Sequence, residues 1–349
     1  MTARTVRKGC ANMTTLGIVW FFLIFLLIAG YFVLDGFDLG AGVLMPFIAS
    51  DEQERSLIRR AIGPVWDGNE VWLLTAGGAL FAAFAPAYAT TFSGFYLAIM
   101  LVLFGLILRA VALEFASHDP AWSGLWNVCF VVGSLLPALL LGVAVGNIYA
   151  GIPMDAAGNY TGIPLLGLVT PFTLLTGLLG LSMFCSAGAS WMALKAPATS
   201  AVRAKSVSLR RIFQALSILL FFLVSAYGHF LIAPAMEPVL SIARWACAIL
   251  VVACLLCALL VGNTAKQDAA VFVLQSIAAV ALTFLLATSM FPNLVVASAG
   301  SVGQSITIAT AASSDTALFA MTVIACIGVP LVLLYHVIVY RTFRGRLEA

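Results

Sequence analysis

Six ionisable side chains stand where a lipid-spanning sequence is expected to have none. Asp35 and Asp38 interrupt the second half of a long apolar run, Asp67 and Glu70 open the next one, and Arg109 and Glu114 fall in the last third of the run after that. A charge inside hydrocarbon costs several kcal/mol unless it is paired or hydrated, so each of these residues marks a candidate functional site. Asp35/Asp38 and Asp67/Glu70 are spaced i, i+3, which puts each pair on one helical face. Gly36, Gly40 and Gly42 beside the first pair, and Gly68, Gly77 and Gly78 around the second, would let neighbouring helices approach closely. Five carboxylates and one guanidinium supplied by three successive helices predict a polar, hydrated inlet, the usual hardware of a proton relay. A plainer reading stays open, in which Asp67, Gly68 and Asn69 cap the second helix and Glu70 complements its dipole.

Other chemistries lack their residues. His118 reads as a loop residue, while His229 and His336 lie near opposite ends of their runs and read as interfacial hydrogen-bonders. Three histidines so placed cannot supply axial pairs for two haems. Cys254-x-x-Cys257, with Cys247 on the same helical stripe, reads as a set of small hydrophobes, because thiolates are hard to create in hydrocarbon. Trp66, Trp72, Tyr88, Trp122, Trp126 and Tyr340 lie near the ends of apolar runs and read as belt aromatics, and Asp315 reads as the N-cap of the last helix. No Cys/His spacing suggests a metal, and no nucleophile with base and orienter can be assembled, so no catalytic centre is expected within this chain.

The elements that must position these residues follow from composition. Of 349 residues, 63% are hydrophobic and 9% charged, whereas soluble domains carry about 25% charged residues. A soluble enzyme, a nucleic-acid binder and a disordered scaffold are excluded, and most of the exterior must face lipid. At about 20 apolar residues per crossing, nine runs qualify: Leu16 to Phe47, Asn69 to Ala85, Phe92 to Phe115, Leu125 to Ala150, Thr170 to Leu194, Arg211 to Ile232, Trp245 to Gly262, Ala270 to Phe291 and Ala317 to Tyr340. Turn chemistry separates them, most conspicuously in the Ser/Gly-rich stretch from Ser298 to Asp315. The expected fold is an all-α, multi-pass membrane protein with about nine transmembrane helices. Residues 1–15 form a short extension and residues 16–346 a single helical domain, with helices 1–4 and 5–8 as two bundles plus a ninth helix. The first run is too long for a cleavable signal peptide.

Orientation follows from lysine and arginine. With the N-terminus outside and the C-terminus cytoplasmic, the inner side collects Arg55, Arg59, Arg60, Lys195, Arg203, Lys205, Arg210, Arg211, Lys266, Arg341, Arg344 and Arg346, and the outer side Arg4, Arg7, Lys8 and Arg244. A translation start at Met13 would remove three of those four outer residues. In this orientation the six ionisable residues fall in the cytoplasmic half of the membrane.

The words around these residues form a recognisable set. Leu34-Asp35-Gly36-Phe37-Asp38-Leu39-Gly40, then Trp66-Asp67-Gly68-Asn69-Glu70-Val71-Trp72-Leu73 and Gly77-Gly78-Ala79-Leu80-Phe81-Ala82-Ala83-Phe84, resemble subunit II of the cytochrome bd-type quinol oxidases. Arg109 to Phe115, Gly142 to Asn147, Thr170-Pro171-Phe172, Met290-Phe291-Pro292 and Pro330 to Tyr335 are similar to later words of that family, in order along residues 16–346. The resemblance implies a haem-free subunit II in the bacterial cytoplasmic membrane, paired with a larger subunit I that carries two b-type haems, one d-type haem and the quinol site. Small single-helix subunits are further partners it allows. The complex it implies oxidises quinol and reduces O2 to water, with protons drawn from the cytoplasm. On the same ground Asp67 lies on a proton path and Trp72 beside an oxygen route, and a structural quinone can accompany the subunit, at residues the sequence does not indicate. Two departures stand out: the loop from Ala233 to Arg244 is short, and His336 and Ile338 replace other expected residues, so no role is carried onto them. A proton-coupled secondary transporter and a purely structural assembly subunit are the competing readings.

Overall fold

The computed structural model describes residues 13–232 and 240–348. Arg4, Arg7, Lys8 and Cys10, which entered the topology and cysteine readings, and most of the short loop from Ala233 lie outside the described residues. The chain is an all-α multi-pass membrane protein. Among the described residues, eight helices are long and apolar enough to cross a bilayer: α1 (Thr15–Ile48), α5 (Tyr96–Phe115), α6 (Ser123–Ala150), α7 (Pro171–Lys195), α8 (Ala201–Tyr227, prolonged by a π-turn over Gly228–Ile232), α9 (Ser241–Leu260), α10 (Asp268–Met290) and α12 (Asp315–Thr342). These match eight of the nine expected runs. The second run is the 18-residue helix α3 (Trp66–Ala83), whose apolar character is diluted by Asp67, Asn69 and Glu70 in its first turns. The third expected run is broken at Phe95, so that a separate helix α4 (Ala85–Gly94) precedes α5. Pro86 sits in the first turn of α4, where its missing N–H is harmless.

Helix α1 is the hub. It packs on α3, α6, α7 and α10, and nineteen of its residues are buried. Gly40 of α1 and Gly188 of α7 explain how α1 and α7 come so close. A Cβ on Gly40 would strike the Phe184 carbonyl, and one on Gly188 would strike the backbone of Gly40 and Ala41. Helices without side chains at their crossing gain packing contact that lipid cannot replace. The expected role of Gly77 and Gly78 in close packing is not met: no atom lies within 4 Å of a Cβ built on Gly78, and Gly77 has only the rim of Phe92 at 3.8 Å. Those glycines lie on the outward face of α3.

Between α1 and α3, the short amphipathic helix α2 (Glu52–Ile62) packs at the end of the bundle where α1 finishes. Asp51 caps it by accepting from the Glu54 amide at 2.8 Å, and Leu57, Ile58, Ala61 and Ile62 are its buried face. Trp191 of α7 donates to the Ala61 carbonyl at 3.0 Å, which ties the last turn of α2 to α7. At the opposite end, the Ser/Gly-rich stretch is more ordered than a turn region. Asn293–Val295 pairs antiparallel with Ile306–Thr307, and a one-turn helix, α11 (Ile308–Ala311), follows. Ser313 then donates through its amide to Ala83 and through its hydroxyl to Ala82, satisfying carbonyls at the C-terminus of α3. The N-cap of α12 is Ser314, whose hydroxyl accepts from the Ala317 amide, rather than Asp315, which is the first helical residue. Helix α12 packs chiefly on α3 and α1, with Tyr340 also meeting the Trp191 ring of α7, and Leu318 and His336 are its two buried residues.

Candidate functional site

Tyr31, Asp35 and Asp38 repeat at i, i+4, i+7 along α1 and therefore share one face. All three are fully buried. Arg109 of α5, equally buried, reaches Asp35 Oδ1 with Nη2 at 2.7 Å and Glu70 Oε1 of α3 at 2.5 Å. Asn69 joins the remaining acid to two more elements. Its amide donates to Asp38 Oδ2 at 2.8 Å and to the Leu34 carbonyl at 3.0 Å, while its Oδ1 accepts from the Tyr340 hydroxyl of α12 at 3.2 Å.

Charge does not balance in this cluster. Three carboxylates face one guanidinium, and burial forbids an uncompensated excess, so it must be offset by bound protons or by water. The side chains carry the same message. Tyr31 Oη, Asp35 Oδ2, Asp38 Oδ1 and Arg109 Nε and Nη1 are buried with no hydrogen-bond partner among the described residues. Each orphaned polar group costs about 1–3 kcal/mol unless water serves it.

Exposure is graded along the cluster. Asp67 is exposed and its side chain has no partner among the described residues; Glu70, one turn on, has 27% of its side chain exposed; Arg109, Asp35, Asp38 and Asn69 are sealed. The structure thus brings Asp35, Asp38, Glu70 and Arg109 together and leaves Asp67 at the rim. Glu114 is not gathered in: it is exposed beyond Arg109, and only its backbone carbonyl is used, by His118. The capping alternative for Asp67 and Asn69 also fails. Helix α3 already starts at Trp66, its N-cap Val65 offers no side-chain bond, and the Asn69 amide is spent on α1.

Two of the supposed belt aromatics belong to the interior. Trp72 is buried, and its indole Nε1 donates to Nε2 of His336 at 3.3 Å; Tyr340 points at Asn69. Trp122, by contrast, is exposed as a belt residue should be. Asn69, Tyr31, Tyr340 and His336 were missed as site residues. Tyr31 alone carried a local signal, its i+4 spacing to Asp35. The others are paired across 31, 271 and 264 positions of sequence, which no periodicity reveals.

A second buried ion cluster lies at the N-terminal ends of α8 and α10. Asp268 accepts from Arg203 at 2.9 and 3.2 Å, from Arg210 at 3.1 Å and from Arg346 at 2.9 Å. The same arginines also serve the backbone carbonyls of Asn263, Ala265, Ala193 and Ala196. Finally, α6 to α10 enclose an apolar cavity of about 730 Å3, with Tyr149, His229 and Arg244 at one end and Phe32, Phe184 and Val252 at the other. Cys254 is buried and Cys257 exposed, both as free thiols, and among the described residues no group of three or more His, Cys, Asp or Glu could hold a metal.

Comparison with known proteins gives a consistent result. The family described as cytochrome bd terminal oxidase subunit II matches residues 16–343. Cytochrome bd-I ubiquinol oxidase subunit 2 of Escherichia coli K12 is 31% identical, over 94% of each chain. Cytochrome bd ubiquinol oxidase subunit 2 of Bacillus subtilis is 32% identical, over 96% of this chain and 98% of the relative. In fold, the chain is similar to a solved structure of bd oxidase from Geobacillus thermodenitrificans, with a TM-score of 0.75 at 16% identity, covering 95% of this chain and 99% of the other.

Proposed function

This chain belongs to the cytochrome bd terminal oxidase subunit II family, a component of a quinol:oxygen oxidoreductase in the bacterial inner membrane, and on that premise we propose that its acidic cluster is a cytoplasmic proton inlet. The observation that carries the reading is the graded run from exposed Asp67 through half-buried Glu70 to sealed Arg109, Asp35 and Asp38. An exposed carboxylate collects protons, and an interior set with more acids than cations keeps a site for the next one. Asp38, Asn69 and Tyr340 extend the hydrogen-bonded line to α12. Glu114, exposed and outside the cluster, acts at most as part of the collecting surface.

Subunit I is the partner that membership in a bd oxidase implies, and we place the haems there. When bound, the haems supply the electron transfer and oxygen reduction. Two of the three histidines are committed within this chain: His336 has both ring nitrogens engaged by Trp72 and Val332, and His118 bonds the Glu114 carbonyl in an exposed segment. A structural quinone fits. The cavity between α6 and α10 has an apolar body for an isoprenoid tail and hydrogen-bond donors on Tyr149 and Arg244 for a carbonyl oxygen. The bulk phase from which Asp67 collects is the cytoplasm. Lys205 bonds the Ile48 carbonyl and Arg346 those of Ala193 and Ala196, so the basic residues of α2, α8 and the tail gather at one end of the bundle, the end that the positive-inside rule puts inside. We read spans one to four and five to eight as two bundles fused across α1 and α7, with α12 beside the first.

Replacing Asp67 with Asn tests the inlet. The purified oxidase should keep its haem content and lose most of its oxygen consumption. Wild-type turnover would leave a purely structural role for the cluster, as an assembly contact.

A further inference from the structure

His336 stands where no role was expected, and its surroundings give it one. Nδ1 lies 2.8 Å from the Val332 carbonyl one turn back on α12. A carbonyl can only accept, so Nδ1 carries the proton and the neutral ring presents a lone pair at Nε2. That lone pair is what the Trp72 indole N–H needs, and it is 3.3 Å away. The indole is confined on its other side by α1: a Cβ on Gly30 would fall on the six-membered ring of Trp72. Trp72 is thus seated between a glycine notch and a single acceptor, with its polar atom satisfied in an otherwise apolar pocket formed with Leu27, Tyr31 and Ala76.

The same face of α12 does a second job. His336 and Tyr340 are four residues apart, and they reach Trp72 and Asn69, three apart on the antiparallel α3. The register that holds the indole therefore also holds Asn69 against Asp38. Helix α12 has few other buried contacts, so these two hydrogen bonds and the bond from Trp20 to Leu318 and Thr322 set its position on α3 and α1.

We propose that His336 is a positioning residue for Trp72: as the Nδ1–H tautomer it fixes the indole plane between α1, α3 and α12. The consequence for oxygen rests on Trp72 lining an oxygen route, as the resemblance implies; the consequence for the indole does not.

The test uses the purified oxidase complex with His336→Leu and His336→Gln. Ultraviolet resonance Raman reads indole N–H hydrogen bonding, with the Trp72 component identified by its loss in Trp72→Phe. His336→Leu should remove the hydrogen-bonded component and raise KM for oxygen by about three- to tenfold, the scale of one lost hydrogen bond, with a smaller change in kcat at saturating oxygen. His336→Gln, which can accept through Oε1, should restore both. An unchanged Raman component in His336→Leu overturns the proposal. Loss of that component with an unchanged KM supports the positioning role and removes Trp72 from the oxygen route. Should His336→Leu fail to assemble, His336→Gln alone decides: a Raman component unlike wild type contradicts the assignment of an acceptor, and a wild-type component supports it.

Discussion

Two buried ion clusters in this bundle are built on opposite plans. Around Asp268, three guanidinium groups converge on one carboxylate at the N-terminal ends of α8 and α10, and the spare donors are taken up by backbone carbonyls. Around Arg109, three carboxylates crowd one guanidinium deep in α1, α3 and α5, two of them paired with it, and five polar atoms of that group and its neighbour Tyr31 have no hydrogen-bond partner among the described residues. The first cluster is saturated. It ties the tail residue Arg346 to α7 and α10 and behaves as a rivet. The second is open-ended, over-supplied with acid and graded in exposure towards Asp67. A structural ion pair gains from complete satisfaction, whereas a conducting group needs vacant hydrogen-bonding capacity. The difference separates a site that holds from a site that works.

Breaking either cluster should expose that division. The largest effect belongs to Arg109→Leu, which strands Asp35 and Glu70 in the interior at a cost of about 3–5 kcal/mol. The assembled complex should be nearly absent from membranes, and adding Asp35→Asn with Glu70→Gln should restore assembly but not turnover. Quantifying complex by haem absorbance checks both. Asp268→Asn should cost less, about 1–3 kcal/mol, because Arg203 and Arg346 retain 13% and 25% of side-chain exposure and their carbonyl partners. Less complex should accumulate, yet oxygen consumption per haem should equal wild type; a fall in specific turnover would make the rivet part of the machinery.

The smallest effect lies outside the spans. Burial raises the Glu52 carboxyl, but hydrogen bonds from Arg59 and Asn127 outweigh it and hold the group below its usual range. A carboxylate depressed on folding stabilises above its unfolded value, and the gain is lost as pH falls through the lowered one. Glu52 is nearly half exposed, so screening limits the gain to about 0.2–1 kcal/mol. Glu52→Gln should lower thermal stability slightly at neutral pH and be indistinguishable from wild type in acid.

Legibility in the sequence followed the range of the interactions. Eight of the spans, and the gathering of Asp35, Asp38, Glu70 and Arg109, could be read because apolar length and i, i+3 spacing are local properties. The rivet at Asp268 could not. Its arginines counted only as topology signals at the ends of spans, and nothing local says that three of them meet one carboxylate. Trp72 and His336 both looked like residues of a membrane interface, since each lies towards the end of its run. What makes them a pair is the antiparallel seating of α12 on α3, a tertiary fact. Glu114 failed in the opposite sense: five residues beyond Arg109, it lies on another face of α5 and is exposed.

The central claim is that the acid-rich cluster carries protons, and Asp38→Asn tests it most directly. Asp38 is bound by Asn69 and lies outside the Arg109 pairs, so an amide there keeps the shape and strands no cation. Oxygen consumption per haem and proton uptake from the cytoplasmic side should be measured together in oxidase reconstituted into vesicles. The account predicts full haem content, with both rates falling in parallel by about tenfold or more, the scale of a lost proton-transfer group. Wild-type rates of both, in a complex of normal haem content, would contradict it.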